Sequence, residues 1–209
     1  MAERMSRFLE STDILNWRHA DVSARARTLR GGLTDRIEIA RRCFEWVRDE
    51  IKHSVDYGLT PVTCAASEVL REGSGFCYSK SHLLAALLRA NGLPAGLCYQ
   101  RLSLSGGAPS YCLHGLNAVW LPDVGWYRVD PRGNRNGIDA QYLPPFERLA
   151  FSVSAPGEAD LPEIWAEPLP IVVEALRAHQ TTDALSRNLP DVELLPRPSA
   201  VSSSEAGTI

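Results

Sequence analysis

Residues 73–94 read GSGFCYSKSHLLAALLRANGLP, and this stretch decides the fold. Its interior, 81–90, is rich in Leu and Ala, which lose little on entering a helix. Asn91-Gly92 supplies a left-handed terminal turn and Pro94 stops any continuation. Gly73-Ser74-Gly75 interrupts the chain on the other side, so the spacing predicts a helix from about Cys77 to Ala90. Being apolar on most faces, such a helix belongs at the centre of the molecule.

Working outward, residues 1–32 read as a partly helical lead-in closed by Gly31-Gly32. Ile37, Ala40, Phe44, Val47 and Ile51 then recur at helical spacing, widened by Cys43 and Trp46. They predict a helix capped by Asp35, with Glu38 as its capping-box partner, that ends near His53. A short helix is expected over 63–71. Downstream, 95–104, 111–121 and 125–130 read as strands, followed by a loop at 132–137 and a further short strand near 149–153. The first of these strands ends at Gly106-Gly107 and the second at Pro122-Asp123; connections this short favour antiparallel neighbours. One or two helices are expected over 168–187. Helices followed by an antiparallel sheet make an α+β chain. The expected organisation is a single domain over 1–188, with its core at 35–135. A Pro-, Ser- and Ala-rich tail over 189–209 has little to bury and is expected to be disordered.

Composition narrows the function. Twenty-two Lys and Arg against 25 Asp and Glu give a net charge of -3 over 209 residues, which argues against a nucleic-acid partner. No window approaches a membrane-spanning apolar run, and the first twenty residues lack the apolar centre of an export signal. Five cysteines cannot all pair with one another, so reduced thiols in the cytoplasm are expected.

Cys77 stands where the glycine-rich loop meets the helix N-terminus. Unpaired N–H groups and a partial positive charge there favour a thiolate, though only by about 1 kcal/mol or less. A histidine partner is the usual supplement, and the same N–H groups can hold an oxyanion. His114 opens HGLNAVW and Asp130 closes GWYRVD, so a hairpin brings them together. Nucleophile, base and orienting acid would then be Cys77, His114 and Asp130. Side chains alternate faces, so His114 and Asp130 share a face only if paired residue numbers sum to an even value. An odd connection centred on Asp123 meets that condition. It sets Leu116 opposite Asp130, His114 diagonally adjacent at roughly 7 Å, and Trp120 against Trp126.

The remaining candidates read as structural. Cys43, Cys64, Cys98 and Cys112 are expected to be buried small hydrophobes. His82 lies about 140° around the helix from Cys77 and should not face it. His19, His53 and His179 read as surface or packing residues, and Lys80 as a solvated or loosely paired helix residue. The Cys112–His114 pair lacks a second pair at ligand spacing, so no metal is expected, and no cofactor either.

The runs VRDEIKHSVDYG, ASEVLREGSGFCYSKSHLLAALLRANGLPAGLCYQRL, HGLNAVWL and WYRVDPRGN together resemble bacterial transglutaminase-like proteins over about 35–135. The resemblance implies a papain-like core, with a central helix bearing the cysteine at its N-terminus packed on an antiparallel sheet. It matches Cys77 to the family nucleophile, His114 to the base and Asp130 to the orienting acid. It further implies thioester chemistry on an amide of a peptide, protein or small molecule, resolved by water or an amine. The β-sandwich domains of the animal crosslinkers do not fit in this length, which weighs toward hydrolysis and against calcium dependence. The tryptophan that assists their oxyanion has no match, leaving Tyr57 or Gln100 as substitutes. The alternatives are a non-catalytic binding or scaffolding member of the fold and, ranked lower, an arylamine N-acetyltransferase-like enzyme.

Overall fold

The computed structural model describes residues 5–104, 110–135 and 137–193. A 3-10 turn at Arg7–Leu9 leads into α1 (Ala20–Arg30) and α2 (Arg36–Glu50). There follow β1 (Lys52–His53), α3 (Ala66–Glu72), β2 (Ser74–Gly75) and α4 (Cys77–Ala90). The second half holds β3 (Ala95–Ser103), β4 (Tyr111–Leu121), β5 (Gly125–Val129), β6 (Gln141–Leu143), β7 (Phe146–Arg148) and β8 (Ala159–Asp160), closing with α5 (Pro170–Ala178) and α6 (Thr182–Ser186). The main sheet is antiparallel with strand order β5-β4-β3-β8, so the chain is α+β as its sequence implies. Gly106-Gly107 lies outside the described residues, as does the tail beyond 193.

α4 is the axis of the molecule. Every residue from Cys77 to Arg89 is buried, and the helix packs against α1, α2 and α3 and against β3 and β4. Leu83, Leu84, Leu87 and Leu88 are fully enclosed, each contributing about 1.5–3 kcal/mol by leaving water. The polar side chains on this helix are buried too, and each is matched to a backbone group. Ser81 Oγ donates to Cys77 O at 2.9 Å, and His82 Nδ1 donates to Cys64 O at 2.8 Å. The Arg89 guanidinium donates to Ala95 O, Glu10 O and Ala166 O. Lys80 corrects the sequence reading. It is enclosed rather than solvated, and its Nζ donates to Ile51 O and, at 3.4 Å, to Arg48 O, carbonyls at the end of α2. Burial and the nearby Arg132 pull its pKa down to about 7, despite Asp130, Asp49 and Asp56.

α2 stops three residues before the expected end. Asp35 Oδ1 does accept from Ile37 N at 2.8 Å, while Glu38 pairs with Arg41 instead of completing a capping box. Ile51 turns extended, and Lys52 N donates to Gly73 O at 3.0 Å, so pairing with β2 captures the chain. β1 and β2 run parallel, His53 facing Gly75. The capping carboxylate appears at α3, where Glu68 Oε2 accepts from Cys64 N and Ala65 N.

The β4–β5 hairpin has the odd connection: Asn117 pairs with Val129, Trp120 with Trp126 and Leu121 with Gly125. Asp123, at its centre, has φ of 61°. The two indoles meet edge-on at 5.8 Å. The strand expected near 149–153 does not form; pairing goes instead to the β6–β7 hairpin. The main-chain N–H of Ala150 is diverted to the Asp130 carboxylate, which shows why that stretch leaves the ladder. The expected tail begins with five described residues that make defined contacts. Pro190 O accepts from Leu113 N at 2.8 Å, and Asp191 forms a two-pronged ion pair with Arg101.

Candidate active site

Cys77 opens α4, preceded by Phe76 in extended conformation with no side-chain cap. The first-turn N–H groups are therefore left for something other than the protein's own cap. Two glycines bring the neighbouring elements close. A Cβ on Gly75 would collide with Ser79 Oγ and lie 3.1 Å from Thr63 Oγ1. One on Gly115 would stand 2.9 Å from Tyr78 Cδ1 and 3.1 Å from Tyr78 Cα. Because position 115 has no side chain, β4 presses against the backbone just after Cys77, and His114 arrives beside the thiol.

The structure brings all three expected residues together. His114 Nε2 donates to Asp130 Oδ2 at 2.7 Å, and the Cys77 side chain lies close enough to the imidazole to help raise its pKa. Asp130 is fully enclosed, and it accepts from Arg132 N and Ala150 N at 3.1 Å each. Phe151 meets the His114 ring edge-on at 4.9 Å. Cys77 is 7% exposed and His114 4%. Burial alone would drive the imidazole neutral, but the charges of Asp130 and Cys77 and the hydrogen bond to Asp130 outweigh that and push His114 up to about 10. Burial raises Asp130 while His114 and the two backbone donors lower it, and the net shift is downward. A fixed imidazolium, held by a carboxylate and set beside a thiolate, is the arrangement from which sulfur attacks a carbonyl.

Cys77 and His114 line a cavity of about 660 Å³. Its walls are largely apolar, with Val55, Phe76, Leu102, Leu104, Phe151 and Leu189 among them. The other four thiols are suppressed by burial: Cys43, Cys98 and Cys112 are pushed up to about 12 and Cys64 to about 11. Cys112 shares the cavity wall. Among the described residues no group of three or more His, Cys, Asp or Glu is arranged to hold a metal ion.

Neither substitute for the missing tryptophan reaches the cavity. Tyr57 is largely exposed, and Gln100, although paired across the sheet with His114, spends its amide on Asp160 and Phe151 O. Conversely, His53, read from sequence as a surface or packing residue, lines the same cavity as Cys77. The signal available was its place two residues after the α2 stripe, but no local pattern shows that β1 runs alongside Gly75.

The Transglutaminase-like superfamily model matches residues 23–131. Among solved structures, a candidate cysteine protease from Cytophaga hutchinsonii superposes with a TM-score of 0.50 at 18% identity, covering 62% of this chain and 42% of that one. The periplasmic domain of TgpA from Pseudomonas aeruginosa superposes with a TM-score of 0.48 at 23% identity, covering 63% of this chain and 47% of that one. The chain thus spans less than half the length of either. No curated protein matches it. Among the described residues no helix is long and apolar enough to cross a membrane.

Proposed function

The chain belongs to the transglutaminase-like superfamily, and on that premise we propose that it is a cysteine-dependent amide or peptide hydrolase or acyltransferase working through a thioester on Cys77. The observation that carries this reading is His114 held between the Cys77 thiol and the Asp130 carboxylate at the wall of one open cavity. With the proton on His114 and Cys77 as the thiolate, Sγ attacks the amide carbonyl, the C=O electron pair moves to oxygen, and the C–N bond breaks as that pair returns. The leaving amine takes the proton from His114, and the acyl group stays on sulfur. Water or an amine next gives His114 a proton as it attacks the thioester, and the thiolate departs. Asp130 holds the ring in place and stabilises its charge throughout. The apolar walls favour an amide flanked by apolar groups, in a peptide, a protein or a small molecule. Five unpaired cysteines support a cytoplasmic setting.

The test is chemical. Iodoacetamide should label Cys77 ahead of the four other cysteines, as read by peptide mass mapping, and His114→Ala should abolish that preference. Amide substrates found by screening should lose turnover in Cys77→Ala. Labelling without preference for Cys77 would remove the basis for the proposal.

A further inference from the structure

Among the described residues, one buried side chain on the cavity wall lies outside the triad and carries an unpaired polar atom. Among the described residues, Arg41, His53, Ser54, His82, Gln100 and Asn117 carry buried side-chain polar atoms with no hydrogen-bond partner. Of these six, His53 alone lines the cavity that contains Cys77, and its ring stands between that cavity and a smaller one of about 140 Å³ shared with Asp56, Lys80 and Arg132. An unpaired polar atom costs about 1–3 kcal/mol when buried, so the fold has a reason to supply it with a partner that arrives from outside.

His53 is fixed in place by the same backbone that presents the nucleophile. It stands opposite Gly75 in the β1–β2 pair, and Ser54 N donates to Gly75 O at 3.0 Å. Its ring lies 5.7 Å from that of Phe76, the residue before Cys77. It is 7% exposed, and neither ring nitrogen has a hydrogen-bond partner among the described residues. Nδ1 is 3.7 Å from Asp56 Oδ1, beyond hydrogen-bond reach. That carboxylate is already committed to Arg132 and Arg135.

The other polar side chains on the cavity wall are engaged. Tyr78 Oη donates to Leu113 O, Ser103 Oγ to Glu158, Ser186 Oγ to Thr182 O, and Arg132 to Asp56. Ser152 is exposed to water. We propose that His53 is the second donor to the oxyanion, acting with the main-chain N–H groups at the start of α4. The inference rests on the reading of Cys77 as nucleophile. As Sγ bonds to the carbonyl carbon, the oxygen gains the electron pair of the C=O bond. His53 N–H then donates to that oxygen without transferring its proton, and the bond is released when C–N breaks. Burial, reinforced by Arg132, pulls the His53 pKa down to about 3, so the ring stays neutral and does not compete with His114 for the catalytic proton. A neutral imidazole is an established kind of electrophile.

The experiment separates oxyanion binding from nucleophile reactivity. Iodoacetamide reacts by displacement at a methylene carbon and forms no oxyanion. A peptide aldehyde such as acetyl-Leu-Leu-norleucinal adds the thiol across C=O, placing a tetrahedral oxygen where the oxyanion would sit. Aldehyde binding is read as protection of Cys77 from iodoacetamide in the full chain. His53→Ala should leave the labelling rate without aldehyde within about twofold and weaken aldehyde protection by about 10²-fold, the usual effect of losing one such donor. His53→Gln, which keeps a neutral N–H donor and most of the volume, should recover at least a tenth of the protection. Equal protection in wild type and His53→Ala overturns the assignment. So does a wild-type thiol that labels but is never protected, or a His53→Gln variant no better than His53→Ala. A labelling rate that falls in parallel with protection assigns His53 to packing around the triad and overturns it as well. If Cys77 in the wild type does not label at all, the proposed function itself fails, and that result differs from each of these.

Discussion

The two ends of α4 treat buried polar groups in opposite ways. At the C-terminal end, Arg89 spreads its guanidinium over the carbonyls of Ala95, Glu10 and Ala166, and Asn91 Nδ2 donates to Ala26 O and Leu87 O. Those donors and acceptors are matched, and the lead-in, β3 and the stretch before α5 are tied to one helix end. At the N-terminal end the cap carries no side-chain bond, His53 Nδ1 is unpaired, and Lys80 is enclosed without an ion pair. The saturated end ties distant segments together, and on the proposed reading the more open end is where a substrate would complete the bonding.

Substitutions should separate the two ends cleanly. The largest effect expected is from Cys77→Ala, which should reduce turnover by about 10⁴-fold or more while leaving the urea midpoint unchanged. Arg89→Met should do the reverse. Three carbonyls lose their donor, that of Ala95 within the core, and stability should fall by about 3 kcal/mol, read from urea unfolding, with Cys77 labelling in the folded fraction unaltered. Gly115→Ala should break both properties, because β4 must retreat from Tyr78. A loss of about 1–3 kcal/mol is expected, together with slower labelling as His114 moves off the thiol.

The finest test is the pH dependence of unfolding. His114 is raised in the folded state from 6.5 to about 10. Its contribution is fully present below about 6.5 and is lost as pH rises through about 10. Lys80 has the opposite sign. It is lowered from 10.5 to about 7, so the unfolded chain binds more protons between those values and stability rises with pH there. Relative to the wild type, His114→Gln should remove an alkaline loss of stability, and Lys80→Met should remove an alkaline gain. Parallel pH profiles for all three proteins would mean that neither group is held as the geometry indicates.

The same contrast explains what could be read from the sequence. Leu-Ala content and the Asn91-Gly92 turn mark α4 at both ends, and the parity of the β4–β5 connection follows from asking His114 and Asp130 to share a face. These are local or pairwise constraints. Lys80 reads as an ordinary helix cation because its partner, Ile51 O, comes from a distant segment, and nothing in the sequence points from Arg89 to Glu10 O or Ala166 O. Backbone carbonyls carry no signature in the residue that offers them. His53 was missed for the same reason: its importance comes from the two-residue β1–β2 pair, which is too short to leave a periodic pattern. The strand expected at 149–153 had the right composition, but Ala150 N serves Asp130 instead of a neighbouring strand.

That last bond has a consequence for the order in which the protein is made. A ribosome delivers Cys77 first, then His114 and Asp130, while the amide of Ala150 that helps fix the carboxylate emerges later still. Until residue 150 is out and folded back, the growing chain carries its thiol without a fully anchored acid. On the proposed reading, the triad is therefore complete only after residue 150 has joined the fold.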